Sequence, residues 1–215
     1  MDTLHLMSIR RAYNKWAEQY DSNINKTRDL EGQALRFVLK DLPFDDCLEI
    51  GCGTGKNTLW LLEKARHITA VDQSEEMMAR AREKTGTGRV NYVLADILQP
   101  WTFRSRLYDL VSFSLVLEHI NDLGHVFSEA AASLKPGGYM YIGELHPFKQ
   151  YGGTKARFES EEGTQVLECY NHHISEFVQS ARQNGMDLID LNEFFDGNDQ
   201  TLVPRILTLL VRKKI

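Results

Sequence analysis

Apolar residues along the chain follow helical and strand-like spacings in turn, an order typical of α/β proteins. Near the N terminus, apolar and aromatic residues at offsets 0, 4, 7 and 11 predict one face of a helix over residues 8–21 (Ile9, Tyr13, Trp16 and Tyr20). A second helical stripe over residues 30–42 ends before Pro43. Short apolar runs then predict seven strands, at 48–50, 67–71, 90–95, 107–114, 139–145, 188–191 and 206–211.

Capping and turn residues mark where the intervening helices begin and end. Ser74 is predicted to cap a helix whose first turn is acidic, and residues 135–138 (Lys-Pro-Gly-Gly) predict a sharp turn into the fifth strand. The last helix, from Ile174, is predicted to point Met186 inward and to end at Gly185. Pro204 fits only before the last strand or in a bulge.

The first strand runs directly into three alternate glycines, Gly51, Gly53 and Gly55. Glycines at these places permit a tight turn and remove the Cβ atoms that would keep a bound nucleoside away from the backbone. Asp72 follows the second strand 21 residues after Gly51 (72 − 51), the offset expected for a carboxylate that binds ribose hydroxyls. The pattern predicts a ligand-binding turn at the carboxyl edge of a parallel sheet.

Four motifs together resemble the class I S-adenosylmethionine-dependent methyltransferases, in their small-molecule, type 11-like branch. They are Glu49-x-Gly51-x-Gly53-x-Gly55, Val71-Asp72, Ala95-Asp96-Ile97 and Leu134-Lys135-Pro136-Gly137-Gly138. A nicotinamide-binding unit would instead show Gly-x-Gly-x-x-Gly, whose third glycine falls on Lys56 or Thr58 here. The resemblance covers roughly residues 45–145.

The resemblance implies a doubly wound mixed sheet, Rossmann-like, with strand order 3-2-1-4-5-7-6 and an antiparallel seventh strand. It implies S-adenosylmethionine as cofactor, with Asp96 and the backbone of Ile97 reading the adenine and Met77 against the ring. Asp96 as a simple helix cap and Met77 as an ordinary core residue stay open as alternatives. The predicted cofactor-binding residues are Tyr13, Tyr20, Glu49, Gly51, Cys52, Gly53, Gly55, Asp72, Gln73, Met77, Asp96, Ile97, Phe113 and Ser114.

One methyltransferase domain is expected over residues 1–215. Its parts are an N-terminal helical lid (1–42), a cofactor-binding core (43–145), an insertion or substrate segment (146–173), and a C-terminal helix with the last two strands (174–215). Tyr13, Ala17, Tyr20 and Asp21 resemble the lid segment of such enzymes, with a plain core-packed helix as the alternative. The 146–173 segment is either a specificity element or a mobile loop.

Composition favours a small-molecule acceptor in the cytoplasm. The net charge of −5 provides no overall basic surface for nucleic acid, and the fourth strand is not followed by the Asn/Asp-Pro-Pro-aromatic signature of base-methylating enzymes. Three cysteines without framework spacing argue against a disulfide-stapled secreted fold. No apolar run approaches membrane-spanning length, so no membrane partner is expected, while a homodimer is an open expectation.

A base is needed only if the methyl acceptor carries a proton, and histidine is the usual candidate near neutral pH. The candidates are His119 and His146, which follow the fourth and fifth strands, and the adjacent His172 and His173. We predict His119, His146 and His173 as catalytic. Cys169-x-x-His172-His173 falls short of a zinc pattern, so no metal is expected.

Two other functions stay open from the sequence. A protein could bind S-adenosylmethionine or its demethylated product as a sensor, without turnover. A tRNA or protein methyltransferase would share the same cofactor motifs, and a strongly salt-dependent affinity for RNA would distinguish the tRNA enzyme.

Overall fold

The computed structural model describes residues 3–86, 88–160 and 163–215, and these form a seven-stranded sheet, helices and a separate hairpin. The strands are β1 (Asp46–Ile50), β2 (His67–Asp72), β3 (Val90–Leu94), β4 (Tyr108–Ser114), β5 (Leu134–Leu145), β6 (Arg157–Ser160), β7 (Gly163–Val166), β8 (Met186–Phe194) and β9 (Ile206–Lys213). The α-helices are α1 (Thr3–Trp16), α2 (Lys26–Leu39), α3 (Lys56–Lys64), α4 (Glu75–Thr85), α5 (Leu123–Ser133), α6 (Pro147–Tyr151) and α7 (Ile174–Gln183). Short 3₁₀ helices cover Leu117–His119 and Asp196–Asn198.

The large sheet has the order β3-β2-β1-β4-β5-β9-β8, and β9 pairs antiparallel with both β5 and β8. Because the β6–β7 hairpin interrupts the numbering, β8 and β9 are the sixth and seventh strands of the prediction. The predicted fold class and strand order are therefore confirmed. The order reverses between β1 and β4, and in doubly wound sheets the crevice at such a reversal is where ligands bind.

Two apolar cores lie on the two faces of this sheet. One face packs α5 and α7 against the central strands around Phe113, Phe127 and Phe177. The other packs α2 and α3 around Leu35, Leu61 and Tyr141. The strands between these layers are buried on both sides, which explains their continuous apolar runs.

Several predicted boundaries agree with the structure. Ser74 caps α4 by accepting the Met77 N–H at 3.2 Å, and Pro204 precedes β9. Helix α1 ends at Trp16, earlier than predicted, so Tyr20 lies in the following turn. In the part of the chain that the structure describes, every helix is too short or too polar to cross a membrane.

Two predicted boundaries are wrong. Residues 135–138 do not separate α5 from β5, because β5 already begins at Leu134, opposite Tyr108, and they form an irregularity before Tyr139 pairs with Leu110. Met186 is buried as predicted but is the first residue of β8, since α7 is capped by Asn184 and the left-handed backbone of Gly185 (φ 71°) ends the helix.

The 146–173 segment shows no clear periodicity, yet it contains α6 and the β6–β7 hairpin. Elements of four or five residues are too short for a repeating pattern to reveal them. Its Leu167 packs against Trp16, Ala17 and Met77, which brings the segment next to α1. Residues 161 and 162 of this predicted insertion lie outside the described residues.

Candidate active site

A cavity of about 740 Å³ lies at the carboxyl ends of the central strands. We call it the main cavity. Ten of the fourteen predicted cofactor residues line it, namely Tyr13, Tyr20, Gly51, Gly53, Asp72, Gln73, Met77, Asp96, Ile97 and Ser114. Of the other lining residues, only His119 was predicted from the sequence as a site residue; the full set is Ile9, Val71, Ala95, Leu115, Val116, His119 and Ile120.

A second cavity of about 420 Å³ adjoins it, and the two share Tyr20, Gly51, Gly53, Ser114 and Leu115. The predicted residues Glu49 and Cys52 lie on this second wall. Phe113 and Gly55 line neither cavity. Phe113 is fully buried in the core, because its side chain points away from the turn that follows β4.

The three glycines of the 51–55 turn have different neighbours, although all three have positive φ. A Cβ at Gly51 would lie 2.3 Å from Val116 Cγ2, and one at Gly55 would lie 2.9 Å from Ala81 Cβ. A Cβ at Gly53 would meet nothing within 4 Å. Only Gly53 therefore faces open space where a ligand can approach the backbone, while Gly51 and Gly55 permit close protein packing.

Asp72 ends β2 and is held by backbone donors. Its Oδ2 accepts the Gly53 N–H and its Oδ1 accepts the Ser74 N–H, both at 2.8 Å. Burial raises the pKa of this carboxyl. Each oxygen keeps a further lone pair, so the carboxylate is oriented and still able to accept ribose hydroxyls.

Met77 fits both of its proposed roles, whereas Asp96 fits only one. Asp96 lines the main cavity and accepts the Leu98 N–H at 2.9 Å within a turn. No helix lies between β3 and β4 in the described residues 95–107, so the alternative of a simple helix cap is wrong. Met77 is 1% exposed and packs against Trp16 while it contributes to the wall. The carbonyl of Ile97 accepts the Trp101 Nε1–H at 2.9 Å, which fixes the backbone beside Asp96.

Two buried glutamates lie on the wall of the second cavity. Glu49 Oε2 accepts the Thr58 hydroxyl at 2.6 Å, and Glu31 accepts Asn57 Nδ2–H at 3.0 Å and the Tyr141 hydroxyl at 3.1 Å. Burial raises the pKa of Glu49 to about 8 and that of Glu31 to about 7. Glu31 was not predicted from the sequence, although a glutamate beside the apolar stripe of the second helix was a signal.

Contacts with the glycine turn and α4 hold the N-terminal segment over the cavities. Asp21 accepts the Thr54 hydroxyl at 2.7 Å and pairs with Lys84, and Asn14 accepts the Ser74 hydroxyl at 2.6 Å. The guanidinium of Arg28 donates to the carbonyls of Tyr20 and Asn23. The segment is thus both packed on the core and part of the cavity wall.

At the β4 end of the main cavity, the Tyr13 hydroxyl lies 2.8 Å from His119 Nε2. The other ring nitrogen, Nδ1, lies 3.2 Å from the Glu168 carbonyl oxygen. Because a carbonyl only accepts, we infer that Nδ1 holds the proton and that Nε2 accepts the Tyr13 O–H. Burial raises the pKa of Tyr13 well above its ordinary value, which keeps its hydroxyl protonated.

The other two predicted catalytic histidines lie away from both cavities, which contradicts the sequence-based placement. His146 is fully buried, contacts Glu193 Oε1 at 2.9 Å, and accepts the Phe148 N–H at 3.1 Å as the cap of α6. Burial lowers its pKa. His173 is exposed at the start of α7, with its Nδ1 2.5 Å from the Tyr151 hydroxyl. His146 directly follows β5, but its side chain does not reach either cavity because the chain turns away immediately after this strand.

The cysteines Cys47, Cys52 and Cys169 are free. Within residues 3–86, 88–160 and 163–215, no group of three or more His, Cys, Asp or Glu side chains could hold a metal ion.

Comparison with known proteins finds methyltransferases in sequence and in fold. A family model described as a methyltransferase domain matches residues 48–142. An uncharacterized methyltransferase of Emericella nidulans is 29% identical over 84% of this chain and 76% of its own length. The malonyl-[acyl-carrier protein] O-methyltransferase of Priestia megaterium is 27% identical over 91% and 68%, respectively.

The fold is similar to that of the DhpI–SAH complex, where SAH is S-adenosyl-L-homocysteine. The TM-score is 0.79 with 22% identity, and the match covers 100% of this chain and 99% of DhpI. This likeness is one of fold, and it includes the N-terminal helices and the last strands outside residues 48–142. The methyltransferase family model over residues 48–142, the methyltransferase relatives and the similar solved structure together support a class I S-adenosylmethionine-dependent methyltransferase, with S-adenosylmethionine as its cofactor.

Proposed function

We propose that the protein transfers the methyl group of S-adenosylmethionine to a nitrogen, oxygen or carbon atom of a small-molecule acceptor, with His119 as the proton acceptor when the acceptor atom carries a proton. The observation that supports this most directly is the Tyr13–His119 pair on the wall of the main cavity, which also includes Asp72 and Asp96.

Cofactor binding is assigned to residues that fit its parts. Asp72 would hold the ribose hydroxyls, Asp96 and the backbone of Ile97 would hold the adenine, and Gly53 would leave room for the ligand. The second cavity, with Arg28 and Glu49 on its wall, would hold the amino-acid end. The Arg28 guanidinium matches the carboxylate of that group, and the Glu49 carboxyl, whose pKa is raised to about 8, offers oxygen acceptors for its ammonium.

When bound, S-adenosylmethionine supplies a methyl group already activated on a positively charged sulfur. The main work of the protein is therefore alignment, which is worth roughly 7–11 kcal/mol in well-oriented systems. His119 receives the acceptor's proton at Nε2, directly or through the Tyr13 hydroxyl, and the Glu168 carbonyl stabilises the Nδ1–H. Because the Tyr13 O–H donates to His119 Nε2, the Tyr13 oxygen can accept a hydrogen bond from the methyl acceptor at the same place.

The cavity supports a small acceptor over a polynucleotide. Among its described lining residues are two aspartates and no lysine or arginine, whereas nucleic-acid sites collect positive charge. The Priestia relative is named for a malonyl group on acyl carrier protein. A cytoplasmic location and a homodimer remain part of this proposal as expectations from the sequence.

Two measurements test the proposal. Calorimetry should detect binding of S-adenosylmethionine and of S-adenosylhomocysteine, and absence of binding at millimolar concentration would refute the assigned cavity. A metabolite panel with methyl-labelled cofactor should then show label in one acceptor class. Binding without label transfer would favour a sensor, and a strongly salt-dependent affinity for RNA would favour a tRNA enzyme.

A further inference from the structure

Residues 168–172 run alongside the turn after β4 and contact three successive residues of it. The Tyr170 N–H donates to the Glu118 carbonyl at 2.7 Å, and the Glu168 carbonyl faces His119 Nδ1 at 3.2 Å. His172 Nε2 lies 2.7 Å from the Ile120 carbonyl. Alternate residues of one segment thus hold Glu118, His119 and Ile120 of the other.

His172 is the buried end of this arrangement. It is 3% exposed, lies against the edge of the Phe177 ring, and its Nδ1 is 2.9 Å from Glu176 Oε1. A carboxylate and a carbonyl both only accept hydrogen bonds, so each ring nitrogen of His172 faces an acceptor. Both contacts are favourable only when the ring donates from both nitrogens, which requires the imidazolium form.

We propose that His172 is a positioning residue of the methyl-transfer site, and that as an imidazolium it holds the 118–120 turn so that His119 stays on the cavity wall in its Nδ1–H form. His172 lines neither cavity, so it acts through other residues. The path is short, because Ile120 is itself part of the wall and follows His119 directly.

The turn after β4 is held at both ends, which explains why the His172–Ile120 hydrogen bond is needed. Val116 and Leu117 donate their N–H groups to Glu144 Oε1 at 2.9 and 2.8 Å, and Leu115 has a φ of 57°, unusual for a leucine. Glu144 thus holds the start of the turn, while residues 168–172 hold its end. Loss of the His172 bond would release Ile120 and let His119 move away from Tyr13.

This inference rests on the proposed role of His119, but its first test needs no acceptor. In ¹⁵N-labelled protein at pH 7, NMR of the histidine rings should show His172 protonated on both nitrogens and His119 protonated on Nδ1 alone. In His172→Leu the His119 ring signals should shift, whereas in His67→Ala, a change at an exposed histidine at the opposite edge of the sheet, they should not. A neutral His172, or His119 signals unchanged in His172→Leu, overturns the proposal.

Kinetics separate positioning from folding. With an acceptor found in the panel, His172→Leu should lower kcat about tenfold or more while cofactor affinity stays within about threefold. His172→Gln keeps one N–H donor for Ile120 and should recover part of the lost rate. Equal rates in the Gln and Leu variants would overturn the proposal.

If His172→Leu fails to fold, Glu176→Gln replaces it, since this side chain is 39% exposed and its loss is mild. In Glu176→Gln the His172 ring should lose its second proton. A His172 ring that stays an imidazolium in this variant would overturn the proposal. A protein that binds the cofactor but methylates nothing would defeat the proposed function and leave the NMR result standing.

Discussion

The proposed cofactor half and the proposed acceptor half of the main cavity are built in different ways. The cofactor half comes from consecutive strand ends, with Gly53 after β1, Asp72 as the last residue of β2 and Asp96 after β3. The acceptor half brings together Tyr13, His119 and Glu168, which are separated by 106 and 49 residues along the chain. The first half is local in sequence and the second is assembled only by folding.

This difference has a physical origin. A nucleoside common to a whole family needs the same turn and carboxylates each time, so a short motif is sufficient to place them. An acceptor site depends on side chains from segments that pack over the sheet, and their approach depends on loops and capping contacts rather than on spacing. Sequence motifs therefore predict the cofactor site, whereas the proposed acceptor site can be recognised only in the folded chain.

The largest effect is expected for His119→Ala, which tests whether the two halves act separately. Turnover should fall about 10²–10⁴-fold because the proton acceptor is lost, while cofactor affinity should stay within about threefold. Labelled-methyl transfer and calorimetry on the same preparation measure both. His67→Ala serves as the matched control. A large loss of cofactor affinity in a folded variant would mean that the two halves are not separate.

The converse change is Asp72→Ala in the cofactor half. It removes charged hydrogen bonds worth roughly 1.5–3 kcal/mol, so affinity should fall about tenfold or more. Turnover at saturating cofactor should change far less. Calorimetry checks the first statement and initial rates check the second, with Asp45→Ala, at an exposed aspartate, as control. Unchanged affinity would show that Asp72 does not bind the ribose.

Glu144→Gln tests whether the buried Glu144 carboxyl, which holds the turn after β4, makes the stability of the protein depend on pH. Burial raises the pKa of Glu144 from 4.5 to about 8, so the folded state holds its proton while the unfolded state loses it. Its contribution to stability is complete below about 4.5 and is lost as the pH rises through about 8, with a slope of at most about 1.4 kcal/mol per pH unit.

The glutamine keeps an oxygen for the Val116 and Leu117 N–H groups, so the free energy of unfolding should depend less on pH between about 4.5 and 8. Urea unfolding at several pH values measures this. Glu49→Gln should flatten the same window, since its pKa is raised in the same direction. An unchanged slope in Glu144→Gln would mean that its carboxyl is ionised in the folded protein.

The smallest effect is expected for His173→Ala. The side chain is exposed and lies outside both cavities, so turnover and cofactor affinity should each stay within about twofold of the unmodified protein. Initial rates and calorimetry are sufficient. A clear fall in turnover would extend the acceptor half to the Tyr151–His173 contact and restore the sequence-based prediction.

The sheet order and fold class were predicted correctly from the sequence, and most of the residues predicted to bind the cofactor line the two cavities. Its failures concern the acceptor half. His146 follows a strand as His119 does, but its ring turns into the protein to cap α6, a difference that no spacing reveals. The β6–β7 hairpin is too short for periodicity, and Glu31 is brought to the second cavity by tertiary packing of α2.

The close approach of Gly51 to Val116 has a consequence for redesign. Gly51 belongs to the cofactor turn and Val116 to the turn that leads to His119, and their separation leaves no room for a Cβ. Segments that do not contain this pair, such as α1 and residues 146–173, could be exchanged between relatives to alter acceptor choice. No boundary of an exchange should separate Gly51 from Val116, so that both residues come from the same parent.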